Sequence, residues 1–298
     1  MTLVARIRTL REITAHPLNR QRKLGAVMNY LRWNLGHRIL RTDHLLPLTD
    51  QASIILSHRQ NYATLAYTCG LWDFEEMMFA LHLLRPGDVF VDGGANVGGY
   101  TILASAVAGA RSVAFEPVPA SYDELTRNIR LNNISDLVDA HCRGLGDAPG
   151  TVRMTANRGG LNHVTTKAGS SDGIVDVAVM RLDDAVGAGC NLLKLDTEGY
   201  ERNVLLGGQR ILASMDLHAV IIELNGSGAR YGSSDEDVHQ EIVRHGFQVH
   251  RYYPKTRQLK PLPSYNRDGL NTLYVRPSRH VTDRLVTAPK YSIRGLAF

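Results

Sequence analysis

Apolar residues recur at helical spacing through the first part of the chain. Leu3, Ile7 and Leu10 share one face of a segment over 2–15, which Pro17 closes. Leu24, Val27, Met28, Leu31 and Leu35 repeat the pattern in a second segment. Residues 50–61 carry no clear period, and the run from Glu75 to Leu84 reads as a helix stopped by Pro86 and Gly87. Beyond that point the period changes. Val89, Phe90 and Val91 form a β-branched and aromatic run, followed by a glycine-rich turn and a small, apolar helix over 101–108. Strands are expected at 112–117, 137–142, 191–196, 219–224, 247–253 and 271–276. Helices are expected from Pro119 to Asn132, over 198–213 and over 235–245. Residues 150–182 break the alternation. There 151–155 and 175–180 read as strands around a Gly- and Ser-rich loop, a hairpin-like insertion where plain alternation would place a helix. Seven strands among five or six helices predict an α/β fold, a mostly parallel sheet with helices on both faces. The expected division is a helical N-terminal extension over 1–60, an α/β domain over 61–276, and a tail over 277–298 that is either a strap or disordered.

Charge changes the picture at one end only. The net charge is +5, yet residues 1–41 hold nine Arg or Lys against the single acid Glu12, leaving about −3 for the rest. Two readings of this arm stay open. One is a helical cap packed on the domain or on a partner subunit, which leaves a homo-oligomer open. The other is a basic amphipathic surface for anionic lipid, peripheral to a membrane, or for an anionic glycan. Three cysteines without C-x-x-C spacing argue against a disulfide framework or a zinc site and fit a reducing compartment. No apolar run approaches the roughly 18 residues of a membrane span, and Arg6 interrupts the start too early for a secretory leader. A cytoplasmic location is the expectation.

The chemistry concentrates at Asp92-Gly-Gly-Ala-Asn-Val-Gly98. Strand, glycine turn and helix open a nucleotide-binding α/β unit. A dinucleotide fingerprint counted from Gly94 would put Asn96 where a pyrophosphate needs a glycine, and Asp92 would repel a diphosphate. An acid at that place suits a ligand carrying an ammonium and a sulfonium. Glu116 ends the next strand, 24 residues after Asp92, where a carboxylate can accept hydrogen bonds from both hydroxyls of a ribose. S-adenosylmethionine meets these demands, so a methyltransferase is expected.

Pro86-Gly-Asp88, Asp92 to Gly98, Phe115-Glu-Pro117, Arg181-Leu-Asp-Asp184, Lys194-Leu-Asp-Thr-Glu-Gly-Tyr-Glu201 and Ile222-Glu223 fall in one order. In these blocks the chain resembles the FkbM family of S-adenosylmethionine-dependent methyltransferases, over roughly 60–275. The resemblance implies a class I methyltransferase (Rossmann-like) fold with strand order 3-2-1-4-5-7-6, only the seventh strand antiparallel. It implies a cofactor site of Asp92, Gly94, Asn96, Gly98, Glu116 and Asp196, with Leu145 and Asp147 on the adenine side. It also implies an acid near Asp73 or Glu75 beside the methionine tail, and a hydroxyl acceptor on a sugar, glycolipid, polysaccharide or polyketide-type product. Gly93 departs from the family's apolar residue and is expected to loosen the turn.

Methyl transfer to an alcohol also needs the hydroxyl proton removed, by a base or by a metal that acidifies it. His163, in the insertion, is the candidate base. Asp196, Glu223 and Asn225 are oxygen ligands beyond neighbouring strands and form a candidate Mg²⁺ set. Lys194 reads as neutralising a buried acid in the catalytic centre, and Glu198 and Glu201 reach the site from the first helical turn. The expected partner is a small-molecule or glycan acceptor. Nucleic-acid methylation is the first rival, opposed by the absence of a basic, aromatic-rich patch at the catalytic loops. Asp196-Thr-Glu-Gly also stands where amino-methylating DNA enzymes carry Asn/Asp-Pro-Pro-Tyr/Phe. A non-catalytic binding module is the second, opposed by the near-complete cofactor residues.

Overall fold

The structure is a computed structural model that describes residues 3–39, 43–57, 63–165, 173–187, 189–267 and 271–298. The chain divides into two compact units, residues 1–74 with 290–298 and residues 75–289. The Gly- and Ser-rich loop of the insertion lies largely outside the described residues.

The first unit holds helices α1 (Leu3–Ala15), α2 (Lys23–Ile39) and α3 (Ala63–Cys69), and an antiparallel pair, β1 (His44–Pro47) with β2 (Ser53–Leu56). Ile13, Ala26, Tyr30 and Cys69 make its small core. Buried Asn19 joins the elements, its amide donating to the Ile13 carbonyl at 3.0 Å and to that of Thr68 at 3.1 Å. The tail is a strap at its very end. Ser292–Ile293 pairs with Leu296–Ala297, Phe298 meets Phe74 edge to face at 5.0 Å, and Arg294 donates to the carbonyls of Tyr67 and Thr68. The chain passes from one compact unit to the other after residue 74 and after residue 289.

The second unit opens with α4 (Phe74–Leu83), β3 (Val89–Gly93), α5 (Gly99–Ile102, continued by a π-helical turn Leu103–Val107), β4 (Arg111–Phe115), α6 (Pro119–Leu131) and β5 (Val138–His141). The insertion follows as β6 (Gly144–Gly146), β7 (Gly150–Thr155) and β8 (Ile174–Arg181), then α7 (Leu182–Ala185). The chain then resumes as β9 (Leu192–Leu195), α8 (Glu201–Leu206), α9 (Gln209–Ala213), β10 (Ala219–Glu223), α10 (Asp235–Val243), β11 (Gln248–Tyr253), β12 (Gln258–Pro261), β13 (Asn271–Val275) and α11 (Arg279–Thr287). Strand order is β12-β11-β13-β10-β9-β3-β4-β5. The expected seven-strand order is all there, but the sheet has eight strands. β12 adds an antiparallel edge to β11, so two strands and not one run against the rest. Every residue of β9 is buried, and β10 is buried up to Glu223, as helices on both faces require. The expected insertion is also found, with β8 antiparallel to β7 and parallel to β6 in a separate three-stranded sheet.

The helix expected over 198–213 is broken instead. Glu198 and Gly199 have φ of 54° and 100°, so α8 starts only at Glu201. Gly207 then lies so close to β6 that a Cβ there would fall 2.0 Å from the Gly146 carbonyl oxygen. Packing of the insertion, not helix propensity, sets that break. Among the described residues no helix is long and apolar enough to cross a membrane.

Candidate active site

Ligands of open α/β sheets bind beyond the carboxyl ends of the strands, at the reversal of strand order. Here that reversal lies between β3 and β9, whose registers align Asp92 with Lys194 and Gly93 with Leu195. The turn after β3 is held by the neighbouring strand: Gly94 and Ala95 both donate backbone N–H to the Phe115 carbonyl at 2.9 Å. Gly94 has φ of 82°, and a Cβ on it would sit 1.9 Å from the Asp196 carbonyl oxygen, so only glycine fits. Gly93 does not loosen the turn, as the sequence had implied. A Cβ there would meet Leu195 at 2.7 Å and Leu145 at 3.2 Å, so those leucines fill the space its side chain lacks.

One cleft of about 740 Å³, including its open mouth, runs along these strand ends. Gly94, Asn96, Glu116, Leu145 and Asp196 line it, whereas Asp92 and Gly98 are not on its wall. Glu116 is 7% exposed. Its Oε2 accepts the Asn96 N–H at 2.9 Å and its Oε1 accepts the Val118 N–H at 3.0 Å. Burial pushes this carboxyl up to about 7, although both backbone donors favour the charged form. Asp92 lies deeper, 1% exposed. Thr101 donates to its Oδ2 at 2.7 Å, while its Oδ1 is buried without a hydrogen-bond partner. Burial raises its pKa as well, against the nearby charge of Lys194. Gly98 is the left-handed residue (φ 90°) that caps α5.

Other sequence assignments need correction. Asp147 is exposed and off the cleft wall, because β6 ends at Gly146; Arg143 and Gly144 take the places beside Leu145. His163 is not a cleft residue either. It lies in an extended segment where Asn162 and Val164 face inward, and its own Nδ1 meets the Leu161 carbonyl at 3.1 Å. Asn225 is exposed, and its Oδ1 accepts the Ser227 N–H of its own turn at 2.9 Å. Glu75 is held by Arg251, with contacts of 2.7 and 2.9 Å. Lys194 is buried, with Nζ 3.1 Å from Asp196 Oδ2 and 5.0 Å from the centre of the Tyr100 ring, and it does not reach the cleft wall.

Glu198 does more than reach the site from a helix start. It lines the cleft, and its carboxylate gathers with those of Asp196 and Glu223 so that one oxygen of each lies within 4.8 Å of the others. Burial, then Asp196 and Glu201, push Glu198 up to about 7, and Glu223 is raised by burial and by the same acidic neighbours. Glu201 fixes the loop from below, one of its oxygens accepting from the backbone N–H groups of Thr197 (2.8 Å) and Gly199 (3.1 Å). Tyr200 and Asn162 complete the opposite wall. Tyr200 packs edge to face on Tyr231 at 5.2 Å, and Tyr231 in turn donates to the Val164 carbonyl at 3.0 Å. Tyr200 belongs to the Lys194–Glu201 block, but no local pattern marks Asn162, which the insertion brings in across many intervening positions.

The family described as "Methyltransferase FkbM domain" matches residues 92–249. Methyltransferase 1 of Beauveria bassiana is 32% identical over 148 residues, which cover 41% of this chain and 59% of that protein. The hexuronic acid methyltransferase AglP of Haloferax volcanii is 30% identical over 142 residues, 46% of this chain and 56% of that protein. The chain therefore spans little more than half the length of these curated relatives. Among solved structures, a methyltransferase FkbM from Methylobacillus flagellatus aligns at 15% identity with a TM-score of 0.42, covering 83% of this chain and 60% of that one.

Proposed function

This chain belongs to the FkbM methyltransferase family, and from that premise we propose that it moves the methyl group of S-adenosylmethionine onto a hydroxyl of a sugar, glycolipid, polysaccharide or polyketide-type acceptor. One observation carries the reading: Glu116, poised for a ribose, and the Glu198 carboxyl face the same cleft from loops that follow different strands. The cofactor fits the residues present. Glu116 offers its remaining lone pairs to two ribose hydroxyls, and the unpartnered Asp92 Oδ1 is an acceptor for the ammonium of the methionine moiety. A diphosphate would meet Glu116 and Asp196 on the cleft wall, with Asp92 buried nearby, which disfavours a dinucleotide.

When bound, S-adenosylmethionine supplies an electrophilic methyl carbon. The chain must align the acceptor oxygen with that carbon and take its proton. Glu198 accepts that proton, beside the Lys194–Asp196 pair. A Mg²⁺ role fits less well. Lys194 already places a cation 3.1 Å from Asp196 Oδ2, and the Asn225 amide is committed to its own turn. Turnover is therefore expected to be unchanged by EDTA; a loss restored by Mg²⁺ would transfer the activating role from Glu198 to a metal. The acceptor class draws support from the relative whose name specifies hexuronic acid. The test is to supply methyl-labelled S-adenosylmethionine with hexuronic acid glycosides, neutral glycosides, polyketide alcohols and RNA, and to identify the labelled product by mass spectrometry. Label on an ether oxygen supports the reading. Label on RNA bases selects the nucleic-acid rival, and no cofactor binding at all selects a non-catalytic module.

A further inference from the structure

Helix α2 has two apolar faces. Ala26, Tyr30 and Trp33 point into the core of the first unit, at 2%, 6% and 3% exposure. On the opposite side Leu24, Met28, Leu31 and Leu35 are 88%, 50%, 54% and 63% exposed. Their spacing of four, three and four residues keeps them in one stripe roughly 16 Å long. A Cβ added at Gly25, beside the stripe, would meet nothing within 4 Å, so no described part of the chain covers it there. Four large apolar side chains in water at one helix face mark a surface made for contact.

The charge around the stripe selects the occupant. Arg20, Arg22, Lys23 and Arg32 are all exposed, and neither α1 nor α2 carries an acid in its first turn. Cations at the start of α2 oppose the helix dipole, so they do not serve the helix itself. Residues 1–41 have a net charge of +8. A second copy of the chain would set that charge against its equal. An anionic polysaccharide would meet the cations but leave the leucines in water. A bilayer with anionic headgroups satisfies both halves, taking Leu24, Met28, Leu31 and Leu35 below the headgroups while Lys23 and Arg32 stay among them.

We infer that the outer face of α2 is a docking surface for an anionic lipid bilayer. This goes beyond the methyl-transfer reading and does not depend on it. The full-length protein is to be sedimented with vesicles of phosphatidylcholine alone and of phosphatidylcholine mixed with phosphatidylglycerol, at low and high salt. Binding is expected only to the anionic vesicles, weakened by salt. A Leu24→Glu/Leu31→Glu variant is expected to reduce it by about tenfold or more while its circular dichroism melt stays at the wild-type temperature, because both side chains are exposed in the folded chain. Failure to sediment, or equal binding to neutral vesicles, would overturn the inference. So would light scattering that shows a dimer which the same double substitution dissociates, since the stripe would then be covered by a second copy.

Discussion

Replacing Glu116 with Ala is expected to abolish measurable S-adenosylmethionine binding in calorimetry while the fold persists. The carboxylate is 7% exposed and acts in two directions at once. Toward the protein it accepts the N–H groups of Asn96 at 2.9 Å and Val118 at 3.0 Å, tying the glycine turn to the start of α6. Toward the cleft its other lone pairs receive two ribose hydroxyls. A hydrogen bond to a charged group contributes about 1.5–3 kcal/mol, so losing a pair weakens binding by roughly 10²–10⁴-fold. Alanine also leaves the two N–H groups without their acceptor, which loosens the turn that shapes the site. The pH dependence has a definite sign. Because burial holds the carboxyl at about 7, part of the population is protonated near neutrality, and only the ionised form accepts both hydroxyls. Affinity should therefore rise as pH increases through 7, with proton release on binding below it, visible as a dependence of the calorimetric heat on the buffer. Wild-type-like affinity in Glu116→Ala would place the ribose elsewhere and remove the basis of the site.

The parts of this fold that the sequence discloses are those decided locally. β3, its glycine turn and α5 follow from Val89 to Gly98, because the positive φ of Gly94 and Gly98 and the apolar run before them are properties of adjacent residues. Gly94, Asn96, Glu116 and Asp196 are found on one cleft because each follows a strand's carboxyl end, and the sheet collects those ends on one side; Leu145 joins them from β6 of the insertion. What escapes is decided at a distance. β12 has no alternating pattern in Gln-Leu-Lys-Pro; it exists because the backbone edge of β11 is there to pair with. The break at Gly207 belongs to the Gly146 carbonyl that lies against it. His163 leaves the cleft wall through a two-residue period in an extended segment of the insertion. Its neighbours Asn162 and Val164 take the inward positions, and Met154 bridges to Val164 to fix that phase. Glu198 was visible as an acid near a helix start, but its left-handed φ of 54° and its crowding with Asp196 and Glu223 appear only in three dimensions.

That crowding gives the last expected result. Substituting Glu198 with Gln should lower kcat by about 10²–10⁴-fold, the usual worth of a positioned base, with little change in cofactor affinity. In the wild type only the deprotonated carboxylate can take the acceptor's proton, so kcat/KM should rise with pH and level off above about 7, and the variant's residual rate should lose that inflection. Stability should move the other way. A carboxyl whose folded pKa is raised from 4.5 to about 7 keeps a proton in the native state that the unfolded chain has already released. Its contribution to stability is thus present at low pH, declines as pH rises between those two values, and above them becomes a cost of burying the charge, with repulsion from Asp196 and Glu201 added. Gln carries no such charge. Glu198→Gln should therefore match the wild type in thermal unfolding near pH 4 and exceed it by a few degrees at pH 8. A base held under repulsion predicts this pairing of lost turnover with gained stability, and a merely structural glutamate does not. If Glu198→Gln turns over normally, or melts lower than the wild type at pH 8, the proton passes through another group in the cleft.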